Sequence, residues 1–168
     1  MSQSLNVISN KVDELPNNIE AEQSVIGSIL LTNEIFDEVN LVISSKNFYD
    51  PVHKRIFEAL EKLIYGGLLA NPITLKNYFE KEKDDLNIPE YLVKITKFST
   101  SSRQALEYSK LIFDLYVKRE LIKISGEVID QAKSNDIGTD GQKIIESYEK
   151  SLFDLAEKGS FSSSLIKF

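Results

Sequence analysis

Residue types that perform catalysis or hold metals are scarce in this sequence. One histidine, His53, stands beside Lys54 and Arg55. A catalytic imidazole needs a partner to orient it, and no sequence neighbour supplies one, so His53 reads as a helix-surface or packing residue. The chain has no cysteine, which removes thiolate zinc sites, a cysteine nucleophile and any disulfide framework. A single histidine also argues against a histidine-built metal centre or a Ser-His-Asp triad. The carboxylates Glu80, Glu82, Asp84 and Asp85 are interleaved with Lys81 and Lys83, the pattern of a solvated helix end. Lys118-Arg119-Glu120 could touch phosphate, and an exposed stripe accounts for it equally well. None of the 7 glycines leads into the G-K-[ST] of a phosphate loop, and G-x-G-x-x-G is absent. No residue of this chain is expected to be catalytic, cofactor-binding or metal-binding.

The elements that would position such residues fit one ordinary domain, or one domain with an appendage, given 168 residues of which 42% are hydrophobic and 27% charged. Net charge is −6, from 20 basic and 26 acidic side chains. The only arginines are Arg55, Arg103 and Arg119. A module that grips nucleic acid needs clustered cations, so a DNA-reading domain is a poor reading. No apolar run approaches the roughly 20 residues of a membrane span, and no basic-then-apolar start marks a secretory signal. The chain reads as soluble and cytoplasmic, with no membrane partner.

Periodicity predicts an all-α fold, since no stretch alternates as a half-buried strand must. Residues 1–16 are polar and aperiodic, the mark of a loose arm. A globular head of about five helices is expected over residues 17–98. Asn17 with Glu20 is a helix-start signal, followed by the stripe Val25, Ile26, Ile29 and Leu30. A short second helix covers Glu34 to Val42, with Ile35, Val39 and Val42 inward. Asp50-Pro51 caps and opens a third, which stops at Gly66-Gly67. Asn71-Pro72 forms a turn before a fourth, marked by Leu75, Tyr78 and Phe79 and ending in the charge run Glu80 to Asp85. Pro89 opens a fifth, with Leu92, Ile95 and Phe98 inward.

After residue 99 the pattern changes. Ser101 with Gln104 forms a capping box, and no proline interrupts the chain to about Ala132. Roughly 30 residues rising about 1.5 Å each make a rod of about 45 Å, longer than such a head can bury. Gly126, in its middle, marks either close approach of another backbone or a tolerated defect. The rod breaks over Ser134 to Asp140. A second long helix follows a capping signal at Thr139 and Gln142 and stops at Gly159. Residues 99–159 thus form a long antiparallel hairpin. Ser160 to Ser164 reads as a flexible linker, so residues 160–168 look like the start of a connection to something further. Leu111, Leu115, Ile122, Ile129, Ile145 and Tyr148 must be covered by the head or by another chain. The rod's length favours another chain.

The run LPNNIEAEQSVIGSILL, from Leu15 to Leu31, resembles the opening signature of the bacterial replicative DNA helicases of the DnaB family. Further matches follow in order: Phe48-Tyr49, Pro51-x-His53-x-x-Ile56-Phe57, Gly66-Gly67, Pro72-Ile73-Thr74-Leu75 and Tyr91-Leu92. Tyr108 through Arg119-Glu120-Leu121-Ile122 and Leu152-Phe153-x-Leu155-Ala156-Glu157 complete the set. The similarity spans Leu15 to Glu157. Two departures stand out: the turn before Thr74 is short, and a proline replaces the usual glycine pair before Tyr91.

The resemblance implies an amino-terminal collar domain. The parent protein would be a ring hexamer that translocates 5′→3′ on single-stranded DNA at the fork. Its ATP and Mg²⁺ would sit in a RecA-like ATPase domain expected after Phe168. Collar domains would pair through their hairpins as a trimer of dimers and dock the helicase-binding domain of primase. Carried onto this chain, primase docking falls to Ile122, Val128 and Ile144, with Ile129 and Ile145 beside them. Dimer contacts fall to Leu111, Leu115, Tyr148 and Leu152. The rival reading is a stand-alone helical protein–protein adaptor without helicase activity, whose gene would stop near Phe168.

Overall fold

Asn18 opens the first helix: its side chain accepts the Ala21 amide at 2.9 Å, and α1 runs Ile19–Leu31. The cap lies one residue beyond the predicted Asn17. The Asn17 side chain instead folds back to donate to the Leu15 carbonyl at 2.8 Å. The computed structural model describes residues 14–81 and 87–166. Most of residues 1–16, part of the Glu80 to Asp85 run, and the last two residues therefore lie outside the described residues.

A 3₁₀ turn over Asn33–Ile35 leads into α2 (Phe36–Val42), and Ile35, Val39 and Val42 are buried as the spacing predicts. The Asn33 amide grips Ala70 from both sides, donating to its carbonyl and accepting its N–H, each at 2.8 Å. A second 3₁₀ turn, Ser45–Asn47, precedes α3 (Pro51–Tyr65). Asp50 caps α3 by accepting the Val52 amide at 2.7 Å. At its other end the Leu68 N–H reaches the Leu63 carbonyl at 2.9 Å and the Gly67 N–H the Ile64 carbonyl at 3.0 Å. This Schellman pattern needs a left-handed residue, and Gly67 supplies it at φ +76°.

Asn71 caps α4 (Pro72–Lys81), accepting the Ile73 and Thr74 amides at 2.9 and 3.0 Å. In α5 (Ile88–Thr96), Leu92 and Ile95 point inward. Phe98, expected inward too, stands 38% exposed. The helix ends before it, and the turn after Thr96 carries it off the apolar face.

Ser101 caps α6 (Ser102–Lys133) by accepting the Gln104 amide at 3.2 Å. Its 32 residues span about 48 Å. Asp140, not Thr139, caps the last helix, accepting the Lys143 amide at 2.8 Å. That helix, α7 (Gly141–Ile166), does not stop at Gly159. One glycine costs about 1 kcal/mol relative to alanine and serines cost less, which is too little to break a helix already propagating without a proline. The two long helices are antiparallel: a groove between them brings Tyr116 to Glu127 against Ser151 to Lys158.

Among the described residues there are seven α-helices and no strand; α7 packs along α6, and the first six build one core. α1 lies at its centre, touching α3, α5 and α6, so Val25 to Leu30 are all buried. Phe57 sits between Phe36 and Phe48, with ring centroids 5.3 and 5.0 Å away. Burying each such ring contributes roughly 1.5–3 kcal/mol before ordering costs. Ala105, Ser109 and Ile112 of α6 belong to this same core. One rod therefore serves both units: its first turns fill the head, and the rest projects. None of the described helices is long and apolar enough to cross a membrane.

Candidate functional site

Two polar assemblies tie Pro16, the head and the rod together, and both escaped the sequence. In the first, Glu22 of α1 and His53 of α3 are withdrawn from solvent. The Glu22 carboxyl accepts the Tyr49 and Asp50 amides at 2.9 and 3.2 Å and faces His53 Nδ1 at 2.8 Å. Nδ1 is therefore the ring's donor. On the other side His53 Nε2 lies 2.6 Å from the Tyr91 hydroxyl, which also accepts from the Gln23 amide at 3.3 Å. The Tyr91 and His53 rings stack nearly parallel, 5.9 Å between centroids. Desolvation raises the Tyr91 pKa, opposed by the Gln23 hydrogen bond and reinforced by Asp50 and Glu22.

A carboxyl, an imidazole and a hydroxyl in series imitate a catalytic relay. His53 is wholly enclosed and Glu22 nearly so, so the series ties α1, α3 and α5 together. His53 is thus the packing residue that its context suggested.

Arg119 makes the second assembly. Its guanidinium donates to the carbonyls of Pro16 and Asn47, both at 2.7 Å, and lies over the Tyr49 ring at 5.4 Å. Burial pulls its pKa below the ordinary arginine value, while Glu22 and Tyr49 push it back up. The sequence suggested phosphate contact or a surface stripe. The structure gives Arg119 a bracing role where the rod leaves the head.

Beyond this brace the candidate interaction residues separate. Ile122, Ile129 and Ile145 stand about half exposed, at 48%, 52% and 52%. Val128, Leu115, Tyr148 and Leu152 are half-buried. Ile144 is buried, and Leu111 packs on the head core. Leu115, Ile122 and Ile129 recur every seven residues and so share one face of α6. Leu121 and Phe153, the latter 62% exposed, add apolar surface that had not been singled out as interacting. Periodicity alone marks them as apolar without showing which face the head leaves uncovered. Gly126, read as either a close-approach point or a tolerated defect, has nothing within 4 Å of where a Cβ would stand. Among the described residues no cluster of three or more His, Asp or Glu could hold a metal.

Residues 14–114 match the family described as DnaB-like helicase N terminal domain. The chain is 34% identical over 167 residues to the replicative DNA helicase DnaB of Rickettsia typhi, covering 95% of this chain and 34% of that protein. Identity to the Rickettsia conorii protein of the same name is 36% over 155 residues, covering 91% and 31%. The Pasteurella multocida protein of that name is 29% identical over 153 residues, covering 88% and 32%. The chain thus spans about a third of the length of these curated relatives. In three dimensions it is similar to the crystal structure of the N-terminal domain of DnaB helicase from Mycobacterium tuberculosis. The TM-score is 0.77 at 21% identity, covering 84% of this chain and 99% of that one. At that identity the likeness speaks for the fold.

Proposed function

The chain belongs to the DnaB-like helicase N-terminal domain family, and from that premise we propose that it is the collar domain of a hexameric replicative helicase, pairing subunits and docking primase. The hairpin carries this reading. Ile122, Ile129 and Ile145 leave half their surface in water on a chain whose net charge is −6. Apolar surface grouped in this way favours a protein partner. ATP-dependent 5′→3′ unwinding, with its Mg²⁺ and its single-stranded DNA, belongs to the longer protein, and the domain's work is cytoplasmic.

Two roles share the hairpin under this proposal. Leu115, Tyr148 and Leu152, half-buried already, complete their burial against a second hairpin, with Leu111 at the head end. Closure by two-fold symmetry is the commonest arrangement, and three such pairs make the ring's collar. Ile122, Val128, Ile129 and Ile145 contact the helicase-binding domain of primase, with Ile144 beneath them as support.

Calorimetry of this chain against that primase domain, beside sedimentation of the chain alone, tests the reading. Binding that Ile129→Glu abolishes, with the head still folded, supports it. A hairpin that binds neither primase nor itself would sink it. A coding sequence that continues into G-x-x-x-x-G-K-[ST] supports the helicase parent; one that stops near Phe168 favours the adaptor.

A further inference from the structure

A recess of about 400 Å³ opens at the base of the hairpin, between Leu15, the turn at residues 45–49 and α6. Its charge runs against that of the molecule. Lys46, Lys54 and Lys123 line it, and none of the three forms an ion pair among the described residues. Glu120 is the one acidic residue in the lining. Leu15 and Ile122 add apolar wall, and Tyr116 an aromatic one. Arg119 also borders the recess, but its guanidinium is already committed to the Pro16 and Asn47 carbonyls.

The recess continues a face of the rod that is core elsewhere. Ala105, Ser109 and Ile112 bury that face in the head, and helical spacing carries it on to Tyr116 and Lys123. Where the head runs out, apolar packing gives way to aromatic and cationic side chains around an open space.

From this we propose that the recess docks a short acidic segment of a partner protein, with one apolar or aromatic side chain held between its carboxylates. Three unpaired ammonium groups around partly apolar walls complement that pattern in both charge and polarity. A nucleic-acid strand has phosphate charge too, but it extends beyond the recess. There it meets a molecule of net charge −6, and its affinity depends on many phosphate contacts made in sequence. A peptide needs only the local cluster. The proposal goes beyond the collar reading and does not depend on it, because every lining residue belongs to this chain.

The test is fluorescence anisotropy at low and at physiological salt with the intact chain. The probe is a fluorescein-labelled peptide with a central phenylalanine flanked on each side by two aspartates. Saturable binding is expected, weakened by salt and by replacing the aspartates with asparagine or the phenylalanine with alanine. Lys54→Glu combined with Lys123→Glu should weaken it at least about tenfold, with far-UV circular dichroism unchanged. Lys46→Glu should weaken it separately. Ile129→Glu should leave it intact, which separates this recess from the hairpin face. No binding at millimolar peptide, indifference to the lysine reversals, or tighter binding of an oligothymidylate of equal charge would each overturn the proposal.

Discussion

Arg119 and Pro16 lie 103 positions apart in the chain, yet the Arg119 guanidinium donates to the Pro16 carbonyl oxygen at 2.7 Å. The same group reaches Asn47, so one side chain braces Pro16, a turn and the rod. A planar fork can serve two carbonyls at once, and a lysine ammonium serves such a geometry less well. Arg119→Lys should therefore cost about 1–2 kcal/mol and Arg119→Ala more, read from denaturant midpoints. Hydrogen exchange should quicken at residues 45–49 while the buried amides of α1 stay protected. Uniform loss of protection would mean that Arg119 stabilises the whole head instead.

Glu22 satisfies two backbone amides and an imidazole at once. Glu22→Ala would strand all three in the interior, so a loss of about 3 kcal/mol or more is expected. Tyr91→Phe removes only the hydroxyl at the outer end of the series and should cost about 1 kcal/mol. Equilibrium urea unfolding of both variants checks the order. Equal losses would refute it.

Burial raises the pKa of Tyr91, and likewise of Tyr116, above the ordinary 10.0. The folded state then keeps its phenolic protons at a pH where the unfolded chain has lost them. That contribution is complete below pH 10 and is lost as pH rises through the folded values. Stability should fall on the alkaline side of pH 10, and a Tyr91→Phe, Tyr116→Phe double variant should flatten that limb. Thermal melts between pH 8 and pH 11 decide the matter.

Gly27 lies where α1 crosses the end of α5. A Cβ there would collide with the Ile95 carbonyl oxygen and come within 3.3 Å of the Ser99 nitrogen. Both are backbone atoms and cannot swing aside, so Gly27→Ala should destabilise by about 2–3 kcal/mol despite its better helix propensity. Gly126 has open space around it, and Gly126→Ala should stabilise the isolated chain by about 0.5–1 kcal/mol. If that substitution instead weakens self-association in sedimentation, a second copy's backbone packs there.

Leu115→Glu should shift the chain toward monomer at high micromolar concentration while leaving the head's circular dichroism intact. Two hairpins each bury a few apolar side chains at roughly 1.5–3 kcal/mol apiece, against several kcal/mol of lost rigid-body freedom. A monomeric parent chain under these conditions would confine pairing to the assembled ring.

Helix boundaries were legible in the sequence wherever a cap is made locally. Asp50 with Val52, Ser101 with Gln104, and Gly67 between Ile64 and Leu68 act within five residues of one another, and such chemistry is the same in any fold. The all-α class, the head, the rod and its apolar stripe follow from periodicity for the same reason. The reading failed where two local signals compete: Asn17 against Asn18, Thr139 against Asp140, and Gly159 against a helix free to continue. Only the tertiary structure decided which polar groups meet. Glu22 and His53 are 31 positions apart, and His53 and Tyr91 are 38 apart. Nothing in a short window says that a lone histidine will be enclosed with both nitrogens satisfied. Exposure on the hairpin was decided there too, since Ile144 is buried and Ile145 is half exposed. Adjacent residues of equal hydrophobicity differ only in the helix face they occupy, and which face is covered depends on where the opposing helix lies.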